Sequence, residues 1–309
     1  MSVNTVFDLT QTALELGLMS SITVLALFLS YTMLNVCDLS TDGCFTLGAA
    51  VGAVVAISGY SYLSLPAAML AGMISGFVTA ILQTRMGINS LLAGIIVNTG
   101  LYSINIAVMG NTSLLNMNKV DTVFTKAKVA LDGSFLSGQY KLVVVVVAVV
   151  GVAVFLSLFL RTRLGLAIRA TGNNPDMVRC SSINPVFTTT VGLCIANSLT
   201  ALSGCLLAQS QKSVNVDIGS GMVTVGLASL LIGEVFLGRG SIPLRAVGAV
   251  LGAFIFRMVY TIALRFNMPA FMLKLVSAVI VTIAIAGPYL KQQMPMIHRR
   301  LIRRTRLEG

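Results

Sequence analysis

From Leu142 to Leu160 the chain carries no charged residue, and only Ser157 there is polar. A run of that length and composition crosses a bilayer as a helix, because only a helix satisfies its own backbone in hydrocarbon. Such runs recur almost from end to end. Reading them at ~17–25 residues each gives about nine spans, near 13–36, 44–63, 65–83, 88–109, 142–160, 186–208, 222–238, 246–265 and 273–290. The segments 65–83 and 222–238 are short and glycine-bearing, so either is a candidate for a broken or re-entrant helix. The expected fold class is an all-α polytopic membrane protein with about nine (8–10) transmembrane helices. A transmembrane β-barrel would show ~10-residue alternating strands in place of solid apolar blocks. Composition agrees: 10% of the residues are charged, against about 25% in soluble chains, which excludes an ordinary cytosolic enzyme.

The formal net charge is +11, and its placement informs more than its size. No Lys or Arg precedes Arg85, while the last stretch holds Lys291, Arg299, Arg300, Arg303, Arg304 and Arg306. Such a tail reads as a cytoplasmic anchor under the positive-inside rule, and not as a nucleic-acid-binding arm. No basic region precedes the first apolar run, so a cleaved signal peptide is not expected. With the 291–309 tail inside, Arg85, the basic residues of 161–185, Arg239 and Arg245 also fall inside. Lys119, Lys126, Lys128, Lys141, Lys212, Arg265 and Lys274 fall outside. The expectation is a multi-pass cell-membrane protein with an outside N-terminus and a cytoplasmic C-terminus.

The polar segment 110–141, with Asn111, Lys119, Asp121 and Asp132, divides the chain into two halves and is the one extended outside loop. A loop of that length is usually functional or disordered, and it offers a docking surface. Three GxxxG pairs lie within spans, Gly48 with Gly52, Gly72 with Gly76 and Gly248 with Gly252, a spacing that lets helix backbones approach closely. A short internal echo joins the halves. Gly43-Cys-Phe-Thr46-Leu-Gly48 resembles Gly221-Met-Val-Thr224-Val-Gly226, each preceded by an acid, Asp38 or Asp42 in one case and Asp217 in the other. The two blocks enter from opposite sides of the membrane in this topology, the pattern of an inverted repeat, which transporters often use with discontinuous helices.

Motifs for chemistry are missing. There is no GxxxxGK[ST] loop, HExxH or GxSxG, and Cys37, Cys44, Cys180, Cys194, Cys205 and His298 show no zinc-ligand spacing. No metal, cofactor or hydrolytic activity is expected on this chain. The informative polar stretch is Leu160-Arg161-Thr162-Arg163-Leu164-Gly165-Leu166-Ala167-Ile168-Arg169-Ala170-Thr171-Gly172-Asn173-Asn174-Pro175-Asp176-Met177-Val178-Arg179. Asn173-Asn174 reads as a helix N-cap, Pro175 fits the first turn, and Asp176 sits at the favourable dipole end. The spacing predicts a short helix over 175–182 on the cytoplasmic face, which is either a plain connector or a docking element.

This segment resembles the G-x-x-x-R-A-x-G-x-N-x-x-x-A loop of permeases in the branched-chain amino acid/ribose class of ABC importers, through Gly165, Arg169, Ala170, Gly172 and Asn174. Val178 stands where the pattern ends in Ala, and Arg179 follows. The resemblance extends over nearly the whole chain. Asp38-Leu39-Ser40-Thr41-Asp42-Gly43 through Leu47-Gly48-Ala49 is similar to the family's N-L-x-x-x-G-x-x-x-L-G-A, with Asp38 in place of Asn. Ser203-Gly204 with Gln209, and Gly226-Leu227-Ala228 through Gly233, are similar to two further blocks. Gly233-Glu234 replaces the Gly-Gly of many members, as in a subgroup of poorly characterised permeases, some paired with aromatic amino acid-binding lipoproteins.

The resemblance implies a transmembrane permease domain over 1–290 and a coupling helix in 161–185 that seats in a groove of an ATPase subunit. It also implies two permease chains, identical or similar, and an extracytoplasmic substrate-binding protein. ATP and Mg then belong to the partner ATPase, membrane lipid surrounds the chain, and nucleic acid has no part. Arg169 and Asp176 are the candidates for polar contact with the ATPase, although Arg169 can instead snorkel to headgroups. Within the spans, ionisable residues are costly and so are functional candidates. Glu234 and Arg257 either pair across neighbouring helices or line the pathway. Asn98, Asn105 and Asn197 are weaker candidates, and Gln209 and Gln211 are expected at the outside mouth of the pathway. The leading expectation is the membrane subunit of an importer for a small polar metabolite, an amino acid (an aromatic one among the options) ahead of a nucleoside or sugar. The alternative is an ion-coupled secondary transporter or channel using Glu234.

Overall fold

A computed structural model describes residues 3–130, 139–238 and 240–265, with isolated positions beyond. The described chain is a mostly helical polytopic membrane protein. Six of its helical stretches are long and apolar enough to cross a bilayer: Thr10–Met33, Ser64–Thr84, Ser90–Val108, Tyr140–Phe159, Pro185–Gln211 and Ile242–Ala263. Two shorter apolar helices, Thr41–Ile57 and Met222–Leu237, complete the set. The expected ninth span at 273–290 and the 291–309 tail lie outside the described residues.

In chain order, α1 (Val3–Leu27) ends in a π-helical turn, Phe28–Met33, and leads to α2 (Thr41–Ile57), α3 (Ser64–Thr84) and α4 (Ser90–Val108). A short strand β1 (Leu114–Asn116) and helix α5 (Val123–Ala130) precede α6 (Tyr140–Phe159). Two short helices, α7 (Arg163–Asn173) and α8 (Pro175–Cys180), then precede α9 (Pro185–Gln211). Strand β2 (Ser213–Asn215), α10 (Met222–Leu237) and α11 (Ile242–Arg265) follow.

Helix α9 is the axis of the bundle. Most of it is buried from Ala196 to Gln209, and α2 and α3 lie along it. Close approach needs small residues where backbones meet, since hydrocarbon offers no hydrophobic drive between helices. All three glycine pairs serve this purpose. A Cβ at Gly48 would stand 2.1 Å from the Ala201 carbonyl oxygen and one at Gly52 2.3 Å from Cys205 Sγ. Gly72 and Gly76 press in the same way on Asn197 and Leu193, and Gly252 of α11 presses on Ser229 of α10. The apolar core spreads from Phe28, Leu29 and Phe45 through Leu199 and Leu206 to Val145 and Leu156 of α6.

One expectation is corrected. Segment 65–83 is neither broken nor re-entrant: α3 is one continuous helix over Ser64–Thr84. The other candidate, 222–238, is the short helix α10, and α2 is short as well; the starts of the two meet end to end. The described part of the 110–141 segment is tied to the bundle. β1 pairs antiparallel with β2, Leu114 opposite Asn215 and Asn116 opposite Ser213. The Met117 N–H donates to the Lys212 carbonyl, and the Val123 N–H donates to Gln209 Oε1 at 3.0 Å. Residues 131–138 lie outside the described residues.

Candidate functional site

Two short helices meet head to head inside the bundle. After the π-helical turn the chain doubles back through Asn35, whose φ is +55°, and α2 starts beside the middle of α9. Asp38, 2% exposed, fixes that start. Its Oδ1 accepts from the Ser40 N–H and hydroxyl at 2.8 and 2.6 Å, and its Oδ2 accepts from Asn197 Nδ2 at 2.9 Å. α2 then runs toward the β1–β2 ribbon, where Ala53 and Ala56 pack with Met117 and Val214. The chain leaving β2 turns inward again, and α10 starts at Gly221, whose φ of +86° suits glycine. It runs the opposite way, past Leu27 of α1.

Asp42, in the first turn of α2, joins the two helix starts. Its Oδ2 accepts from the Gly221 N–H at 2.9 Å and its Oδ1 from the Val223 N–H at 2.8 Å. The Thr46 hydroxyl oxygen accepts from the Gly219 N–H at 3.2 Å. The first turn of a helix leaves backbone N–H groups without helical acceptors and carries a partial positive charge, so a carboxylate from a neighbouring helix satisfies both demands. Irregular backbone at membrane depth is tolerated only inside protein or along a water-filled cavity. The junction here lies inside the protein, beside a polar-lined cavity.

The cavity lies against this junction, about 440 Å³, bounded by α2, α4 and the 216–221 turn. Asp42, Thr46, Asn98, Tyr102, Asn105, Asp217 and Ser220 are among its lining residues. Asn105 is 1% exposed; its Nδ2 donates to the Gly43 carbonyl at 3.2 Å, while its Oδ1 is buried without a partner. Thr99, Tyr102 and Ser103 form an exposed polar face on α4, which is costly toward lipid and suited to a wet route or to another protein surface. Among the described residues of the lining there is no Lys or Arg.

The sequence-derived candidates separate into groups. Asn98 lies on this cavity. Asn197 holds Asp38, and Asn105 is both structural and cavity-lining. The Glu234–Arg257 pairing is corrected: Glu234 accepts from Arg245 Nη2 at 2.7 Å, across α10 and α11, with both side chains under one-fifth exposed. The Arg245 guanidinium also lies 5.4 Å from the Phe28 ring. Arg257 sits a few turns along α11, 5.1 Å from the Tyr260 ring, with its Nε buried and unpartnered. Gln209 is corrected as well. It is 1% exposed, donates to Ser64 Oγ at 2.6 Å and accepts from Val123, so it bolts α3 and α5 to α9 and opens on no mouth. Gln211 is exposed at the end of α9.

At the far end, the 161–185 segment folds into two helices set against the bundle. Thr162 Oγ1 caps α7 by accepting from the Gly165 N–H at 3.3 Å. Asn174 Oδ1 caps α8 by accepting from the Asp176 and Met177 N–H groups at 3.1 Å, with Pro175 in its first turn. Helix α8 ends at Cys180, slightly short of the expected 182. Gly165 packs on the Phe159 carbonyl, and Gly172 on the Met33 carbonyl and Leu34. Thr171 and Thr188 share a 2.8 Å hydroxyl contact. Asn173, Pro175, Asp176, Met177 and Arg179 are exposed, while Arg169 and Ala170 are half-buried. Asp176 and Arg179 face each other at 3.5 Å.

The sequence missed the cavity as such. Its signal was the acid preceding each half of the internal echo, because Asp42 and Asp217 both line the space where the two glycine-rich blocks meet.

Comparison with known proteins agrees with this architecture. The model of the family described as "Branched-chain amino acid transport system / permease component" matches residues 10–285. A "Tyrosine transport system permease protein" of Clostridioides difficile (strain R20291) is 30% identical over 93% of this chain and 93% of its own length. An uncharacterized protein of Rickettsia prowazekii (strain Madrid E) is 33% identical over 73% of this chain and 77% of its own. No solved structure gives a significant match. With six membrane-length helices among the described residues, two shorter ones meeting inside the bundle and a family match over most of its length, the chain belongs to the branched-chain amino acid transport system permease component family of ABC transporters.

Proposed function

We propose that this chain is the membrane subunit of an ABC importer for an amino acid, with aromatic amino acids as the first class to test. Similarity to a tyrosine transport permease over nearly its whole length supports the cargo class. An exposed pair of short helices packed on the bundle and a polar-lined cavity on one chain support the mechanism. Two copies, or this chain and a similar one, form the pathway; an extracytoplasmic binding protein delivers cargo; and an ATPase subunit binds ATP and Mg. The C-terminus and α7–α8 then lie in the cytoplasm.

The observation that carries the reading is the seating of Gly172. α7 touches the backbone of Met33 and Leu34 there, and the segment after Leu34 runs to Asp38 and the start of α2. A push on α7–α8 therefore reaches the helix junction through directly packed backbone. The exposed ridge of Asn173, Asn174, Pro175, Asp176 and Met177 is left for the ATPase, and Gly165, Arg169 and Ala170 set the angle of α7 behind it. Each nucleotide state must favour one conformation through differential contacts, and this ridge supplies them.

The test is purification of the full chain from its native membrane in mild detergent, with mass identification of accompanying chains and uptake of labelled tyrosine into proteoliposomes. Stoichiometric recovery of an ATPase and ATP-dependent uptake are expected. Recovery of the chain alone across several detergents, with uptake driven by an ion gradient, would replace this reading with a secondary transporter.

A further inference from the structure

Helices α3 and α9 run antiparallel and touch where Gly72 and Gly76 meet Asn197 and Leu193. Beyond that contact, where α3 ends and α9 begins, a cavity of about 640 Å³ lies between them. Its lining is graded along the helix axis. Phe77 and Ile81 of α3 face Phe187 of α9, and Arg85 follows the last turn of α3. From Phe77 to Arg85 is about 12 Å along a helix. Both helices are of membrane-spanning length, so Arg85 lies at the interfacial end of its span and Phe77 within the hydrocarbon. Phe77 and Phe187 are about half exposed, which opens the apolar part sideways to the bilayer.

The polar groups at the mouth leave donors and a positive charge. Thr84 and Thr190 donate their hydroxyls to the Ala80 and Val186 carbonyls of their own helices, at 2.6 and 2.7 Å. Asn184 Oδ1 accepts from the Val186 N–H at 3.0 Å, so the Asn184 amide N–H groups are what that side chain has left to offer. Arg85 is exposed and forms no ion pair among the described residues, and no carboxylate is among the described lining. A guanidinium fork matches the oxygens of a phosphate. A free anion would satisfy Arg85 and leave the apolar wall bare, while a neutral acyl chain would do the opposite. An anionic head on an apolar body satisfies both ends.

We propose that the cavity between the end of α3 and the start of α9 holds one anionic phospholipid, its phosphate on Arg85 and Asn184 and an acyl chain against Phe77, Ile81 and Phe187. Basic pockets between membrane helices bind anionic headgroups in this way. The site adjoins the α7–α8 segment, because Asn184 follows α8 by a few residues. The inference needs only a chain that spans a bilayer, so it stands apart from the importer reading.

The experiment is native mass spectrometry of the full chain, purified in mild detergent with whatever chains copurify and titrated with phosphatidylglycerol or phosphatidylcholine. Phosphatidylglycerol is expected to bind about tenfold more tightly, with no displacement by inorganic phosphate. Arg85→Gln lowers that affinity by about tenfold or more, the worth of a hydrogen bond to a charged group, and Arg85→Lys recovers part of it. Arg163→Gln removes the same charge from another exposed position. It costs about fivefold at most, the worth of one cation near an anionic surface. Arg85 is exposed at a helix end, so its variants fold. Ile81→Trp fills the apolar part and weakens phosphatidylglycerol binding with Arg85 in place. Equal affinity for the two lipids, or equal losses for Arg85→Gln and Arg163→Gln, overturns the site. Displacement by inorganic phosphate replaces it with a free-anion site. An Ile81→Trp chain with unchanged melting temperature and unchanged lipid affinity removes the acyl groove.

Discussion

Asp42 of α2 accepts the backbone N–H of Gly221, residues far apart in sequence and brought together as the starts of two oppositely directed helices. The contact makes one carboxylate answerable for the geometry of both. It stands between the cavity and the interior of the bundle, so any rearrangement that opens this junction must break or exchange it.

Replacing Asp42 by Ala leaves the Gly221 and Val223 N–H groups without their acceptor inside the bundle. The expected cost is about 1.5–3 kcal/mol, as for hydrogen bonds to a charged group, together with loss of uptake. Asp42→Asn keeps an acceptor oxygen and recovers part of the stability. Thermal unfolding in detergent and uptake in proteoliposomes check both. An unchanged melting temperature for Asp42→Ala would show that α10 is held by other means.

Gly172 tests the link from α7 to the π-helical turn. A Cβ there would stand 2.1 Å from the Met33 carbonyl oxygen, so Gly172→Ala lifts α7 off its seat. ATPase stimulation in the assembled complex should fall severalfold with normal membrane insertion. Gly151→Ala in α6, where a Cβ meets nothing within 4 Å, is the control. It should keep full activity and gain up to about 1 kcal/mol from helix propensity. Full stimulation by the Gly172 variant would reduce the segment to a connector.

Glu234 and Arg245 form a 2.7 Å pair between α10 and α11. Removing either partner leaves the other without its charge complement in a poorly hydrated setting. Glu234→Ala and Arg245→Ala should each lower the melting temperature, by the equivalent of about 1.5–3 kcal/mol. The exchange Glu234→Arg with Arg245→Glu should recover most of it. A double-mutant cycle reads the coupling directly, and zero coupling would assign Glu234 to some other partner.

Asn174→Ala removes the acceptor for two N–H groups at the start of α8. The bundle should keep its melting temperature, because α8 is exposed, while α8 itself loses about 1 kcal/mol. Affinity for the ATPase, measured by pull-down against a salt series, should drop. Unchanged assembly would place the docking contacts on other residues.

The positions of most helices were legible in the sequence, since apolar length alone selects them. The runs near 88–109, 142–160 and 186–208 become α4, α6 and α9 with ends shifted by a few residues. The caps of α8 were legible too, because Asn174, Pro175 and Asp176 act within one turn. Glu234 and Gln209 show where that reading stopped. A charged or amide group in an apolar run announces that it needs a partner, and sequence does not say which. Arg245 and Arg257 lie on one helix, and the α10–α11 crossing selected Arg245.

The sequence by itself determined a membrane-spanning helical chain, its glycine contact faces and its capped connector, because those follow from local composition and spacing. Tertiary structure alone decided that α2 and α10 start inside the bundle and face each other across Asp42. That arrangement depends on residues far apart in sequence, such as Asp38 with Asn197 and Asp42 with Gly221. Local propensity cannot encode it, because the carboxylates stabilise helix starts that belong to other segments of the chain.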